Sequence, residues 1–145
     1  MSDRHDTVHI VAFTGLAGSH VEAIVSHLTD KGHPKVTRED IVSQIQHLDA
    51  AGQRRIITSE IDNLDLFKTM KHEFPGKLTV VGVVAKRDIR HKRLAQISAN
   101  EPDDWNKTQT NIATVIGMAD TFLLDDDDEQ FAIESVTKLL TELGF

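Results

Sequence analysis

Short apolar runs rich in β-branched residues alternate along this chain with segments whose apolar residues recur at helical spacing, and that alternation leaves few folds open. "VHIVAFT" (8–14), "RRIITSE" (54–60), "KLTVVGVVA" (77–85) and "DTFLL" (120–124) read as strands. Their apolar stretches lack the polar alternation of a half-exposed strand, which predicts burial on both faces. Between them, Val21, Ile24, Val25 and Leu28 fall at i, i+3, i+4 and i+7, predicting a helix over 20–31 closed by Gly32. Thr37 with Asp40 three residues on reads as an acidic capping box opening a helix that Gly52 stops. Further helices are expected over 63–74 before Pro75, over the basic stretch "RDIRHKRLAQIS" (87–98), over 106–119, and over 129–143 before Gly144. The expectation is one three-layer α/β domain over 1–145 with a mostly parallel sheet of about five strands. The run 77–85, the longest, is the best candidate for a central strand.

Composition narrows the function classes. A net charge of -7 argues against a surface built mainly for nucleic acid or anionic lipid. The chain has no cysteine, so disulfides, thiolate metal sites and cysteine nucleophiles are excluded and a cytosolic setting is expected. No stretch approaches the roughly 18 apolar residues of a membrane span, and "MSDRHDTVH" lacks the apolar core of a signal peptide. With no tyrosine and one tryptophan, Trp105, base-stacking platforms are poorly supplied.

In an open parallel sheet, ligands bind beyond the carboxyl ends of the strands. Those ends are expected at Thr14–Ser19, Thr58–Glu60, Ala85–Arg87 and Leu124–Asp127. The first holds "TGLAGSHVE", a glycine turn between strand and helix whose backbone N–H groups suit an anion. Matched to G-x-x-x-x-G-K-[ST] from Gly15, the turn runs Gly15, Leu16, Ala17, Gly18, Ser19, His20, Val21, Glu22. His20, Val21 and Glu22 stand where that motif has its second glycine, its lysine and its hydroxyl. A side chain at His20 crowds the place where backbone comes close to phosphate. Val21 removes a charge whose pairing at about 4 Å contributes ~4 kcal/mol at an effective dielectric of 20. Glu22 puts an anion where the Mg²⁺-binding hydroxyl would be, either as a weak carboxylate ligand for Mg²⁺ or as a first-turn acid stabilising the helix dipole.

The succession "AFTGLAGS", "VVGVVAKRDIRHKRLAQ", "MADTFLLDD" and "LLTELGF" resembles, over nearly the whole chain, the dephospho-CoA kinase and nucleotide kinase-like branch of the P-loop kinases. That resemblance implies a P-loop kinase-like fold and, where the family activity survives, ATP and Mg²⁺. By position it gives Arg90 and Arg93 to the family's arginine pattern ahead of the lid. It gives Ala119 and Asp120 to an Ala-Asp before the last strand and Asp125 to the exit loop near the nucleotide base, so that Asp120, Asp125 and Asp126 together are the implied nucleotide-base region. The acceptor-side Asp-Gly of the family falls on Thr58-Ser59-Glu60, leaving Glu60 as the candidate acid there. No arginine follows Arg93 in "LAQISANEPDDWNKTQTN", and the acceptor region is short. The leading expectation is therefore a kinase-fold protein that has lost phosphotransfer and binds a ligand or a protein. An active kinase using Glu22, Arg90 and Arg93 is the alternative, and a homodimeric interaction module is a third.

Other features have plainer readings. "DDDDE" (125–129) lacks the spacing and glycine of a calcium loop and reads as the acidic start of the last helix. His20 and His27 are seven apart and His5 and His9 lie outside a clear helix, so the eight histidines give no paired ligand set for a metal. A response-regulator receiver is discounted because the strands ending "FTG" and "VAKR" lack its acidic cluster and phosphoacceptor aspartate.

Overall fold

A computed structural model describes residues 8–15, 20–61, 63–85, 105–125, 129–143 and 145. The strands are β1 (His9–Gly15), β2 (Lys35–Val36), β3 (Arg55–Thr58), β4 (Leu78–Ala85) and β5 (Thr121–Asp125). The helices are α1 (Val21–Asp30), α2 (Ile41–Ala50), α3 (Leu64–Glu73), α4 (Trp105–Gly117) and α5 (Glu129–Glu142). The strands form one parallel sheet in the order β2-β3-β1-β4-β5. The basic stretch 87–98 lies outside the described residues.

Strand residues point alternately to the two faces, so each apolar run must feed two cores. On one face Ile10, Ala12, Ile56, Leu78 and Val80 meet Ile41 and Ile45 of α2, Phe67 and Met70 of α3, and Val115 of α4. On the other, Val11, Phe13, Ile57, Val81, Val83 and Leu123 meet Ile24, Val25 and Leu28 of α1 and Ala132, Val136 and Leu140 of α5. Consecutive residues such as Ile56 and Ile57 are both fully buried but serve opposite layers, which explains why the strands show no polar alternation.

Two expectations change. β2 was not read from the sequence; it falls in "GHPKVT", where two residues and a single buried apolar position, Val36, give no periodic signal. As expected, β4 is a central strand, paired on both sides by β1 and β5; β1, flanked by β3 and β4, holds the middle of the sheet. The capping box at Thr37 and Asp40 does not form. Asp40 is the N-cap of α2 with left-handed backbone, φ 50°, and no side-chain cap bond. Thr37 instead exchanges bonds with Gln44, whose amide donates to the Thr37 carbonyl at 3.1 Å and to the Glu39 carbonyl.

The helix ends follow their glycines. After α1, Gly32 (φ 99°) donates to the Thr29 carbonyl and His33 to that of Leu28; after α2, Gly52 (φ 87°) donates to Asp49 and Gln53 to Leu48. These paired bonds satisfy the last carbonyls and need a left-handed residue at the turn, which glycine supplies without Cβ strain. At the start of α3, the Asn63 side chain accepts from the Leu66 N–H at 2.9 Å.

Candidate functional site

With all strands parallel, their carboxyl ends share one edge: Gly15 of β1, Val36 of β2, Thr58 of β3, and Ala85 and Asp125 of β4 and β5, which pair with each other. Gly15 pairs with Val83 at the top of the sheet's middle strand, so the glycine turn leaves where this fold takes ligands. Leu16, Ala17, Gly18 and Ser19 lie outside the described residues. The turn delivers the chain to His20, the N-cap of α1, which makes no side-chain cap bond. The first bond of the helix runs from Ile24 N–H to the His20 carbonyl at 3.0 Å. The N–H groups of Val21, Glu22 and Ala23 therefore precede the helical ladder and face the turn, the donor set an anion would use.

The side chains at this helix start do not match that donor set. Val21, which takes the lysine's place in the motif, is half-buried and packs against the core between the sheet and α1. Glu22, in the hydroxyl's place, is exposed in the first turn, where it complements the helix dipole. Backbone donors suited to a phosphate are thus present, but the described residues at this helix start contribute one carboxylate and no ammonium or hydroxyl. That set does not fit a magnesium–nucleotide complex. No group of three or more His, Asp or Glu able to hold a metal occurs among the described residues.

At the end of β3, Thr58 is fully buried. Its hydroxyl donates to the Val36 carbonyl of β2 at 3.0 Å and accepts from the Glu60 N–H at 3.1 Å. The residue matched to an acceptor-side aspartate is thus a structural hydroxyl, joining the edge strand to the β3 exit. Glu60 is half-buried beside it. Because β2 precedes β3, the second strand in chain order ends at Val36, not Thr58. The residues it brings to the carboxyl edge are Thr37 to Asp40, including exposed Glu39 and Asp40. Sequence reading missed them because it missed β2; the left-handed Asp40 gave no sequence signal.

Asp120 is corrected outright. It immediately precedes β5, at the amino end of the sheet, the opposite end from the exit loops. Its carboxylate accepts from Val80 N–H at 2.7 Å and pairs with Lys71 at 3.1 Å, while its own N–H donates to the Val80 carbonyl at 2.8 Å. It staples β5 to β4 and does not reach a nucleotide-base region. Asp125 does end β5 at the carboxyl edge. Asp126, Arg90 and Arg93 lie outside the described residues.

The amino end holds a second cluster. The Phe145 ring stands edge-on to His9, centroids 5.5 Å apart, and 4.9 Å from His33. His9 Nε2 lies 3.1 Å from Thr79 Oγ1. Burial, with the Arg55 guanidinium adding to it, holds His9 below the usual histidine value. Burial does the same to His33, partly offset by a backbone hydrogen bond at Arg55. An open groove of about 430 Å³ lined by Lys35, Ser43, Gln44, His47 and Leu48 runs beside β2 and contains none of the residues named from the sequence.

No protein-family model matches the sequence, and no curated protein does. Solved structures do match. A sugar kinase from a Janibacter species aligns with a TM-score of 0.64 at 16% identity, covering 95% of each chain. A shikimate kinase from Aquifex aeolicus aligns at 0.58 and 13% identity, covering 94% of this chain and 96% of the other. A gluconokinase from Sinorhizobium meliloti aligns at 0.52 and 15%, covering 99% and 98%. At such identities the likeness speaks for architecture alone. The five-stranded parallel sheet with its two helix layers, and the likeness to these structures, give this chain the fold of the small-molecule P-loop kinases.

Proposed function

We propose that this chain is a small-molecule kinase-fold protein, resembling in sequence pattern the dephospho-CoA and nucleotide kinases, that has lost phosphotransfer and acts by binding a ligand or a protein. One observation carries the reading: Val21, in the lysine's place, is half-buried and packs against the core at the helix start. An ammonium there would have to leave that apolar contact to reach a phosphate. The exposed carboxylate of Glu22 and the committed hydroxyl of Thr58 support the same reading. Together they replace a cation, a magnesium ligand and an acceptor-side acid with a hydrocarbon, an anion and a structural hydrogen bond. The setting we propose is the cytosol; no described helix is long and apolar enough to cross a membrane.

A second reading keeps the activity. It draws on the uncapped N–H groups of α1, which remain suited to an anion, with Arg90, Arg93 and Glu22 supplying the missing charges. The discriminating assay incubates the protein with ATP, Mg²⁺ and a panel of dephospho-CoA, nucleoside monophosphates, gluconate and shikimate. The proposal expects no turnover above the no-protein background. Phosphorylation of any acceptor, abolished by Arg90→Ala or Arg93→Ala, establishes the second reading instead.

A further inference from the structure

The outer side of β2 is an edge of the sheet, and a side chain occupies it. Successive residues of a strand turn their backbone groups alternately to its two sides. The Pro34 carbonyl accepts from Ile57 N–H at 2.9 Å and the Val36 carbonyl from the Thr58 hydroxyl at 3.0 Å, so both address β3. Lys35 and Thr37 therefore turn their N–H and C=O groups outward, where a further strand would pair. At Thr37 that place is taken by Gln44, half-buried in the first turn of α2. Its Oε1 accepts from Thr37 N–H at 3.3 Å, and its Nε2 donates to the Thr37 carbonyl at 3.1 Å. A primary amide carries the donor and the acceptor of a peptide group, so these are the two bonds that an antiparallel partner residue would exchange with Thr37. Nε2 also faces the Thr37 hydroxyl at 3.2 Å and the Glu39 carbonyl. Three oxygens on the nitrogen side and one N–H on the oxygen side fix the way the amide points.

We infer that Gln44 is a guard of this sheet edge: its carboxamide stands in for a residue of a further strand at Thr37 and, with the charge of Lys35, keeps a second copy of the chain from extending the sheet at β2. The two residues divide the edge between them. Lys35 is exposed, and burying its ammonium against an incoming strand is costly, which is how lysine keeps edges unpaired. Thr37 has no charge of its own, and there the outward backbone groups are satisfied from within the molecule. A strand adding at this point would have to displace Gln44 from all of its bonds before making two. The guard is local, since Gln44 lies seven residues beyond Thr37 on the helix that follows β2 directly.

Amide exchange at Thr37, with sedimentation velocity of the full chain from about 1 to 200 µM, tests it in the parent, in Gln44→Met and in Lys35→Thr/Gln44→Met. Methionine keeps the length and helix preference of glutamine and can neither accept from Thr37 N–H nor donate to its carbonyl. In the dilute parent, Thr37 N–H is expected to exchange at least about tenfold more slowly than in an unstructured chain, and in dilute Gln44→Met that protection is lost. The double variant, stripped of both guards, is expected to associate at least about tenfold more tightly than the parent, its Thr37 amide slowing again as concentration rises. Circular dichroism checks that the variants stay folded; the Thr37 reading of the parent needs no variant. An unprotected Thr37 amide in the parent overturns the inference. So does a folded double variant that sediments as the parent does throughout the range.

Discussion

The amino and carboxyl ends of the sheet use their polar side chains for different distances. At the amino end the bonds are long-range: Asp120 reaches β4 and α3, His9 reaches Thr79, and Phe145 closes against both His9 and His33. At the carboxyl end the described bonds span fewer residues, Thr58 to Val36 of the neighbouring strand and to Glu60, and Gln44 to Thr37 and Glu39. In this fold the amino end holds strands together and the carboxyl end is the place for ligand chemistry. Here Thr58 holds neighbouring backbone and Val21 packs against the core, while Glu22 is exposed. On the proposed reading, the architecture of a kinase is kept while side chains at its working end have been turned to structure.

The sharpest way to break the comparison is to restore a family residue at the carboxyl end. Thr58→Asp places a carboxylate in a fully buried position and leaves the Val36 carbonyl without its donor, so it is expected to destabilise the fold by about 3 kcal/mol or more. Urea unfolding measures this; a near-neutral result would mean that the β3 exit opens to water and that the site is less committed than argued. At the amino end, Asp120→Ala removes the acceptor for Val80 N–H and a surface ion pair. The hydrogen bond dominates, and the expected loss is ~1–2 kcal/mol. A nucleotide-binding defect without loss of stability would return Asp120 to the ligand site.

The smallest effect expected is on pH dependence. Both His9 and His33 are held below their ordinary value of 6.5, so between that value and their folded values the unfolded chain binds more protons than the folded one. Stability therefore rises with pH through this window and falls as acid protonates the unfolded histidines. Thermal melts at pH 8 and pH 5.5 are expected to show a lower Tm in acid, with a shallower dependence in His9→Gln/His33→Gln. Equal slopes in parent and variant would show that this cluster does not sense protons.

How far the sequence disclosed this molecule follows from how local each feature is. β1, β3, β4 and β5 were legible because each carries an apolar run feeding two cores, and α1 and α2 ended at glycines whose need for positive φ is a local property. β2 was not, because Lys35 and Val36 are a strand only through pairing with Ile57 and Thr58. The start of α2 misled because Gln44, seven residues from Thr37, captures the threonine that a capping box would have used. Strand order was only partly legible: length marked β4 as a central strand, which it is, but that β1 holds the middle is set by the crossovers. At the candidate site the substitutions at His20, Val21 and Glu22 could be read directly. That Val21 packs inward, that Thr58 bonds to β2, and that Asp120 sits at the far end of the sheet required the fold.

The central claim is that the scaffold is intact and its phosphate turn disabled. Calorimetric titration with ATP, with and without Mg²⁺, of the parent and of the triple variant His20→Gly, Val21→Lys, Glu22→Ser tests it most directly. The account predicts a silent parent and a variant that binds with magnesium dependence. Magnesium-dependent micromolar binding by the parent would contradict it, showing that this turn holds nucleotide without its lysine or hydroxyl.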